Sequence, residues 1–593
     1  MNSSEKRGGR SPKRLFRPEQ RERFLRYLRQ NTWLVLFAVL VLVALILFIC
    51  VITGGEPKQE ETFLKPAERE RKYETAYIST PNTKVVYYDS EWNEAGEAMR
   101  GSEVTYSRED TLEKDEQTYY LTYFSDLSCG YVAQDCLVQS AEEVVSEKTI
   151  YVRTPQNLRQ SEDGLKLGTL VEQGTELKVL GFDYLENGVV HLYKVQHGSE
   201  EGYISGEYTS ASEEEANEIY DRFGVYTIHG SRGDVYGGGD GESLDYYPRE
   251  KGHFETEMPN PCYSLYLTCD PVVIGDIDKY IEYAKSTKIN TFVVNIIDGT
   301  NVGYPSEVYL EYSPTTYEYA NNSFEEYQAA IRKIREAGFY CVGRLTTFND
   351  SFFVMDHPEY AIADRSGDPL FIANSYWPSP YCRYVWEYKA ALAKEAVESM
   401  GFNEIQFDYV RFPDGTYKYE KDGVIDYHNE YDETKAQAIQ RFLMYATDEL
   451  HDEQVYVGAD VFGETSETYV TSYGQYWAAI SNIVDVISGM PYPDHFAQDG
   501  KYRPWEHPYD TILGWAQKVA KRQEETPTPA VCRTWVQAYD AIREPYNTYG
   551  PDEVGGEIQA LQDAGLTGGF MAWNASCSLK KMEELRPVYE SLP

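Results

Sequence analysis

Glu404-Ile405-Gln406-Phe407-Asp408-Tyr409-Val410 and Val455-Tyr456-Val457-Gly458-Ala459-Asp460-Val461 decide how the C-terminal half of this chain is read. Alternate side chains of a strand face opposite sides. The first run puts Ile405, Phe407 and Tyr409 on one face and Gln406 and Asp408 on the other. The second puts Val455, Val457, Ala459 and Val461 on one face and Tyr456, Gly458 and Asp460 on the other. The apolar faces suit a covering layer of helices. The acidic faces then point inward, where a carboxylate is costly unless paired or used.

Six more apolar runs of strand length lie at 263–269, 291–298, 339–345, 484–490, 530–537 and 568–574, with amphipathic segments between them. Ser323 and Glu326 form a capping box, opening a helix with Tyr327, Ala330, Ile331 and Ile334 on one stripe and Gly338 at its end. After Thr434, residues Ile439, Phe442, Leu443, Ala446 and Leu450 recur at helical spacing. Eight strands alternating with helices predict an α/β domain, a (β/α)8 TIM barrel over 261–593. No GxGxxG or GxxxxGK(S/T) follows a strand, which weighs against an open doubly wound sheet.

Active sites of such barrels sit at the C-terminal ends of the strands. Asp408 and Asp460 fall there on neighbouring strands, and Glu464 follows in Gly463-Glu464. Two carboxyls so placed are what glycosidic cleavage needs: one protonates the leaving oxygen, the other attacks or activates water. A structural ion pair with Arg344 or Arg533, both of inward parity, is the competing reading. Gln406, Tyr492, Asp494, Trp535, Gln537, Trp573 and Asn574 are the other inward or rim groups suited to a sugar cleft. No cluster has metal-ligand spacing, no nucleophile motif is present, and no metal or cofactor is assigned.

The 593 residues carry a net charge of −41, unevenly spread. Residues 1–53 hold ten Lys/Arg against three Glu, so the remainder carries −48. That body would repel nucleic acid. Trp33–Ile52 is an uncharged apolar run, long enough for the ~30 Å hydrocarbon layer. The basic residues before it mark the cytoplasmic side. It is longer than a signal-peptide core and ends Phe48-Ile49-Cys50-Val51-Ile52, without small residues. The expected order is a cytoplasmic basic segment (1–32), a single-pass transmembrane helix (33–53), a polar tether (54–80) and an extracytoplasmic remainder.

Residues 81–145 and 146–210 are β-rich and weakly duplicated. Each ends in a Gly-Tyr-β-branched strand, Gly130-Tyr131-Val132 and Gly202-Tyr203-Ile204. Cys129 with Cys136, and Cys262 with Cys269, could pair as disulfides or stay as thiols. Residues 211–260 are acidic, then glycine-rich, and read as a linker. The 53 tyrosines suit stacking on sugars, and equally suit strands.

Two resemblances add to this. Asn157-Leu158-Arg159, Gly168-Thr169-Leu170, Gly174-Thr175-Glu176-Leu177 and Gly202-Tyr203-Ile204 resemble bacterial Src-homology-3-like domains, which implies a small all-β barrel that binds cell wall or acts as a spacer. The 81–145 unit lacks the Asn-Leu-Arg signature. Gly401-Phe402-Asn403 through Arg411-Phe412-Pro413, with Gly343-Arg344-Leu345, Ala459-Asp460-Val461-Phe462-Gly463, Met490-Pro491-Tyr492-Pro493 and Ala572-Trp573-Asn574, resembles a bacterial family assigned to the glycoside hydrolases and once filed as a domain of unknown function. The resemblance implies a TIM barrel related to polysaccharide-cleaving enzymes, with Asp408 as leading catalytic residue. The chain departs from that family at the second strand, where Asn295 and Ile297-Asp298-Gly299 replace an Asp and a Lys-Asp-Asp; Asp298 remains a candidate substrate contact. The expected function is a surface-tethered glycoside hydrolase acting on a cell-wall or extracellular polysaccharide, peptidoglycan included. The alternative is a non-catalytic glycan-binding surface protein.

Overall fold

The computed structural model describes residues 72–160, 166–232 and 237–593. The basic segment and the apolar run 33–53 lie outside the described residues. Among the described residues no helix is long and apolar enough to cross a membrane.

The eight expected staves are present: β1 (Cys262–Leu267), β2 (Thr291–Asp298), β3 (Tyr340–Thr346), β4 (Glu404–Asp408), β5 (Tyr456–Phe462), β6 (Val486–Met490), β7 (Val531–Cys532 and Thr534–Gln537) and β8 (Gly569–Trp573). Neighbours pair in parallel from β1 through β6, and β8 pairs with β1. β7 is split at Arg533; its first piece pairs with β6 and its second with β8, which completes the ring. Helices α1 (Phe324–Glu336) and α2 (Lys435–Asp452) both open with the reciprocal cap that their sequences specify. Phe407 packs against Phe442 of α2, ring centroids 5.3 Å apart. The odd-numbered side chains of β4 therefore face the helices, and Gln406 and Asp408 face the barrel interior.

The two N-terminal sheets, Tyr73–Val138 and Thr149–Ser210, each have seven strands. Counted within each unit, both run in the order third, second, sixth, fifth, fourth, first, seventh. A single 3-10 turn precedes the last strand in each, Gln134–Cys136 and Gly206–Tyr208. The weak duplication in sequence is thus a duplication of topology. The first sheet begins inside the stretch read as tether: Tyr73–Ile78 pairs with Glu103–Ser107 and with Leu137–Val138.

The described residues of 211–260 form a strap on the barrel rather than a linker. Tyr226, Leu244 and Tyr246 are buried with Ala436, Val470 and Tyr476. Ala436 N donates to the Gly238 carbonyl oxygen, and a Cβ on Gly238 would stand 2.1 Å from Thr471 O. The glycines record close backbone contact, which composition alone does not separate from flexibility. The second small sheet is also fixed to the barrel. Asn157 Nδ2 donates to Glu449 Oε1 on α2 at 2.9 Å, and Arg159 Nη1 meets Asp452 Oδ2 at 2.7 Å. All eight cysteines in the described residues, Cys129, Cys136, Cys262 and Cys269 among them, are free thiols.

Candidate active site

The barrel interior is layered. At the bottom, Glu404 of β4 accepts two hydrogen bonds from Arg533 Nη1, at 2.9 and 3.0 Å, with neither side chain exposed. One layer up, Gln406 Nε2 donates to Ser488 Oγ at 3.2 Å and touches Met571 Sδ at 3.4 Å. Each two-residue step along a stave raises the side chain by about 6.6 Å. The next step delivers Asp408.

At that level one guanidinium gathers three carboxyls. Arg344 of β3 donates from Nη2 and, at 3.1 Å, from Nε to Asp408 Oδ2. Its Nη1 lies 3.5 Å from Asp298 Oδ2 at the end of β2 and donates to Asn295 Oδ1 at 2.9 Å. Its Nε also stands 3.7 Å from Asp460 Oδ2. Burial works against the charge of Arg344, but Asp408, Asp298, Tyr266 and Asp460 together hold it well above its ordinary value. The rings of Tyr266 and Trp573 lie 5.8 and 5.4 Å from the guanidinium carbon.

Asp460 is the odd member. It has no exposed surface. Its Oδ1 accepts 2.7 Å from Trp535 Nε1, while Oδ2 has no hydrogen-bond partner. Burial first, and then the charge of Asp408, push its carboxyl well above the usual range; Arg344 and the Trp535 bond oppose them. Arg344 approaches Asp460 at 3.7 Å without a hydrogen bond, its Nε and Nη2 already donating to Asp408. Asp408 and Asp460 share one nitrogen, so their Oδ2 atoms cannot be farther apart than the two N–O distances combined.

The backbone serves the same corner. Tyr409 is left-handed, φ 50°, which turns the chain out of β4 and lets Tyr409 N donate to Asp408 Oδ1 at 2.5 Å. Asp408 is 5% exposed, and the Asp298 side chain is 31% exposed. Trp573 and Tyr409 are half-buried. Asp298, Tyr409 and Trp573 mark the open side of the site. Trp573 packs on Tyr266 at 4.2 Å and stands perpendicular to Trp535 at 5.5 Å, with Tyr492 at 6.4 Å.

The structure therefore brings together Asp298, Arg344, Asp408, Asp460, Tyr492, Trp535 and Trp573. Glu464 is held elsewhere: it pairs with Arg232 of the strap at 2.9 Å and accepts from Tyr469 and Tyr473 hydroxyls, each at 3.0 Å. Four other candidates spend polar atoms on the protein itself. Gln406 sits in the layer below. Asp494 accepts from Tyr539 Oη at 2.9 Å and Ile542 N at 3.2 Å. Gln537 Oε1 accepts from Asp494 N, and Asn574 Oδ1 caps Ser576. Tyr266 and Asn295 were not singled out as site residues from their strands. Asn295 Nδ2 donates to Tyr266 Oη at 2.6 Å, and both have the inward parity that identified Asp408.

Among curated proteins, none is similar enough in sequence to count as a match. Several solved structures are similar. A hypothetical protein from Ruminiclostridium thermocellum is 31% identical over 33% of this chain and 97% of its own, TM-score 0.27. The PgaB (BpsB) glycoside hydrolase domain from Bordetella bronchiseptica is 12% identical over 57% of this chain and 100% of its own, TM-score 0.41. The spore cortex-lytic enzyme SleL from Bacillus cereus is 10% identical over 57% and 77%, TM-score 0.34. The family model described as "Putative glycosyl hydrolase domain" matches residues 264–579, more than half of the chain and all eight staves at least in part, and this chain belongs to that family.

Proposed function

We propose that this chain is a membrane-anchored, extracytoplasmic glycoside hydrolase that cleaves a cell-wall or extracellular polysaccharide, with Asp408 as nucleophile or base and Asp460 as acid. One observation carries the reading: adjoining staves deliver two carboxyls to one guanidinium at the barrel mouth, and burial pushes one of them, Asp460, well above the usual carboxylate range. Paired carboxyls in unlike environments are how a single site supplies both acid and base. A sugar would enter past Asp298, Tyr409 and Trp573. Asp460 gives its proton to the glycosidic oxygen, and Asp408 attacks the anomeric carbon or takes a proton from water. The apolar run 33–53 would anchor the chain in the membrane, and the two small sheets would be of Src-homology-3-like type.

Purified full-length chain, incubated with isolated wall and capsular polysaccharide, should release reducing ends, and Asp408→Asn should lower the rate by at least about 100-fold. Undiminished activity in that variant rejects the assignment. The burial of Asp460 and the double hydrogen bond of Arg344 to Asp408 favour one alternative, a barrel that binds glycan without cutting it. Retention on wall without hydrolysis of any polymer would select it.

A further inference from the structure

In both small sheets the second strand ends against the sixth. Tyr88 pairs there with Tyr131, and Arg159 with Tyr203, so Tyr88 holds in the first unit the place of Arg159 in the second. In the second unit this edge is covered by α2, through Arg159 and Asn157. In the first unit it carries three half-buried rings. Trp92 and Tyr119 are 4.9 Å apart at 85°, Tyr88 and Tyr119 6.2 Å apart at 82°, and Tyr88 and Trp92 5.9 Å apart at 53°. Near-perpendicular rings make a corner, not the flat shelf on which a sugar ring stacks. A corner of π faces suits a compact cation.

An ammonium already lies over two of the three rings. Lys114 Nζ is 4.7 Å from the Trp92 centroid and 5.8 Å from that of Tyr88. Lys114 is exposed, stands between Glu113 and Asp115 in sequence, and forms no ion pair among the described residues; its charge rests on the Trp92 and Tyr88 rings. Burial, then Tyr88, Asp135 and Asp115, raise the Tyr119 hydroxyl above its ordinary value. Trp92 is held left-handed, φ 68°, in a turn where Asp89 Oδ1 accepts from Glu91 N at 2.8 Å and Asn93 N at 2.9 Å. That backbone is strained for a bulky residue, and the turn sets the direction in which the Trp92 side chain leaves the chain.

We propose that Tyr88, Trp92 and Tyr119 form a binding site for a quaternary ammonium head group, with Lys114 as a displaceable internal occupant. A primary ammonium is strongly hydrated and stays here because its stem is tethered. A quaternary one is weakly hydrated and apolar on its surface, and gains more from the rings. The site is independent of the barrel chemistry.

The test is calorimetric titration of the full-length chain, in a detergent without choline groups, with tetramethylammonium and with choline. Saturable binding of both is expected, at least fivefold tighter in Lys114→Ala and at least tenfold weaker in Trp92→Ala, with sodium at equal ionic strength inert. Should Trp92→Ala not fold, Tyr119→Leu takes its place under the same criterion. No saturation in Lys114→Ala, or unchanged isotherms in the ring variants, overturns the site and leaves Lys114 as a clasp on its hairpin.

Discussion

Asp460→Asn separates the two readings of the Asp460 carboxyl. If burial and Asp408 keep the proton on Asp460, its folded value lies above the unfolded one, about 3.9 for aspartate. The folded chain then binds the proton more tightly than the unfolded chain. The stability from this group is complete below about pH 4 and is lost as pH rises toward the folded value. Each unit of difference is worth about 1.4 kcal/mol, and at pH 7 the ceiling is set by the roughly three units above the unfolded value, about 4 kcal/mol. Asparagine has the shape of the neutral acid, keeps an oxygen for Trp535 Nε1 and cannot ionise. The variant should match the parent at pH 4 and exceed it at pH 7, by up to about 4 kcal/mol. At about 2 °C per kcal/mol for a domain of this size, the thermal midpoint of the barrel rises by several degrees. Hydrolysis, if the proposed chemistry holds, falls by about 100-fold to 10,000-fold in the same protein. The assay is differential scanning fluorimetry of both proteins from pH 4 to 8, beside reducing-end release. A variant that loses stability at pH 7 and not at pH 4 would refute the reasoning, because Asp460 would then be an ionised partner of Arg344.

Trp535→Phe removes the one hydrogen bond that lowers the Asp460 value, so the alkaline limb of the kcat/KM profile should move to higher pH; an unmoved limb shows that Asp460 is not the acid. Glu404→Gln strips the carboxylate from the fully buried Arg533 and should cost about 3–5 kcal/mol, read as a lower thermal midpoint. The double variant Glu404→Met with Arg533→Met should recover most of that loss, and a double variant as unstable as the single one would show that the pair is more than a charge-balanced filler.

Much of the barrel was legible because period-2 runs and 3.6-period stripes are local signals. Parity alone put Arg344, Asp408 and Asp460 on inward faces. Parity does not give height. Gln406 shares the face of Asp408 yet lies one layer deeper, and only the register between staves shows it. Nor does it show competition: Glu464 follows β5 as closely as a catalytic acid could, but Arg232 of the strap and two tyrosine hydroxyls hold it away. The strap itself was misread as linker because a glycine that lets two backbones touch and a glycine in a flexible tether look alike in composition. Tyr73–Ile78 was missed for the opposite reason. Its charged flank resembles tether, and its strand character comes from pairing with residues thirty positions away.

The two buried arginines of the barrel show why the upper one is the functional candidate. Arg533 meets a single carboxylate, the charges balance, and no solvent reaches either group. Such a pair is commonly replaceable by apolar residues without loss of stability. Arg344 faces three carboxyls, one of them fully buried with an unpartnered oxygen and another partly open to water. One cation faces three carboxyls, and burial together with the charge of Asp408 raises the Asp460 carboxyl well above its usual range. A fold needs no such arrangement, since a balanced pair or plain hydrocarbon would fill the space at lower cost. A site that must hold a proton beside a carboxylate, under a mouth wide enough to admit Asp298 and Trp573 to solvent, does need it.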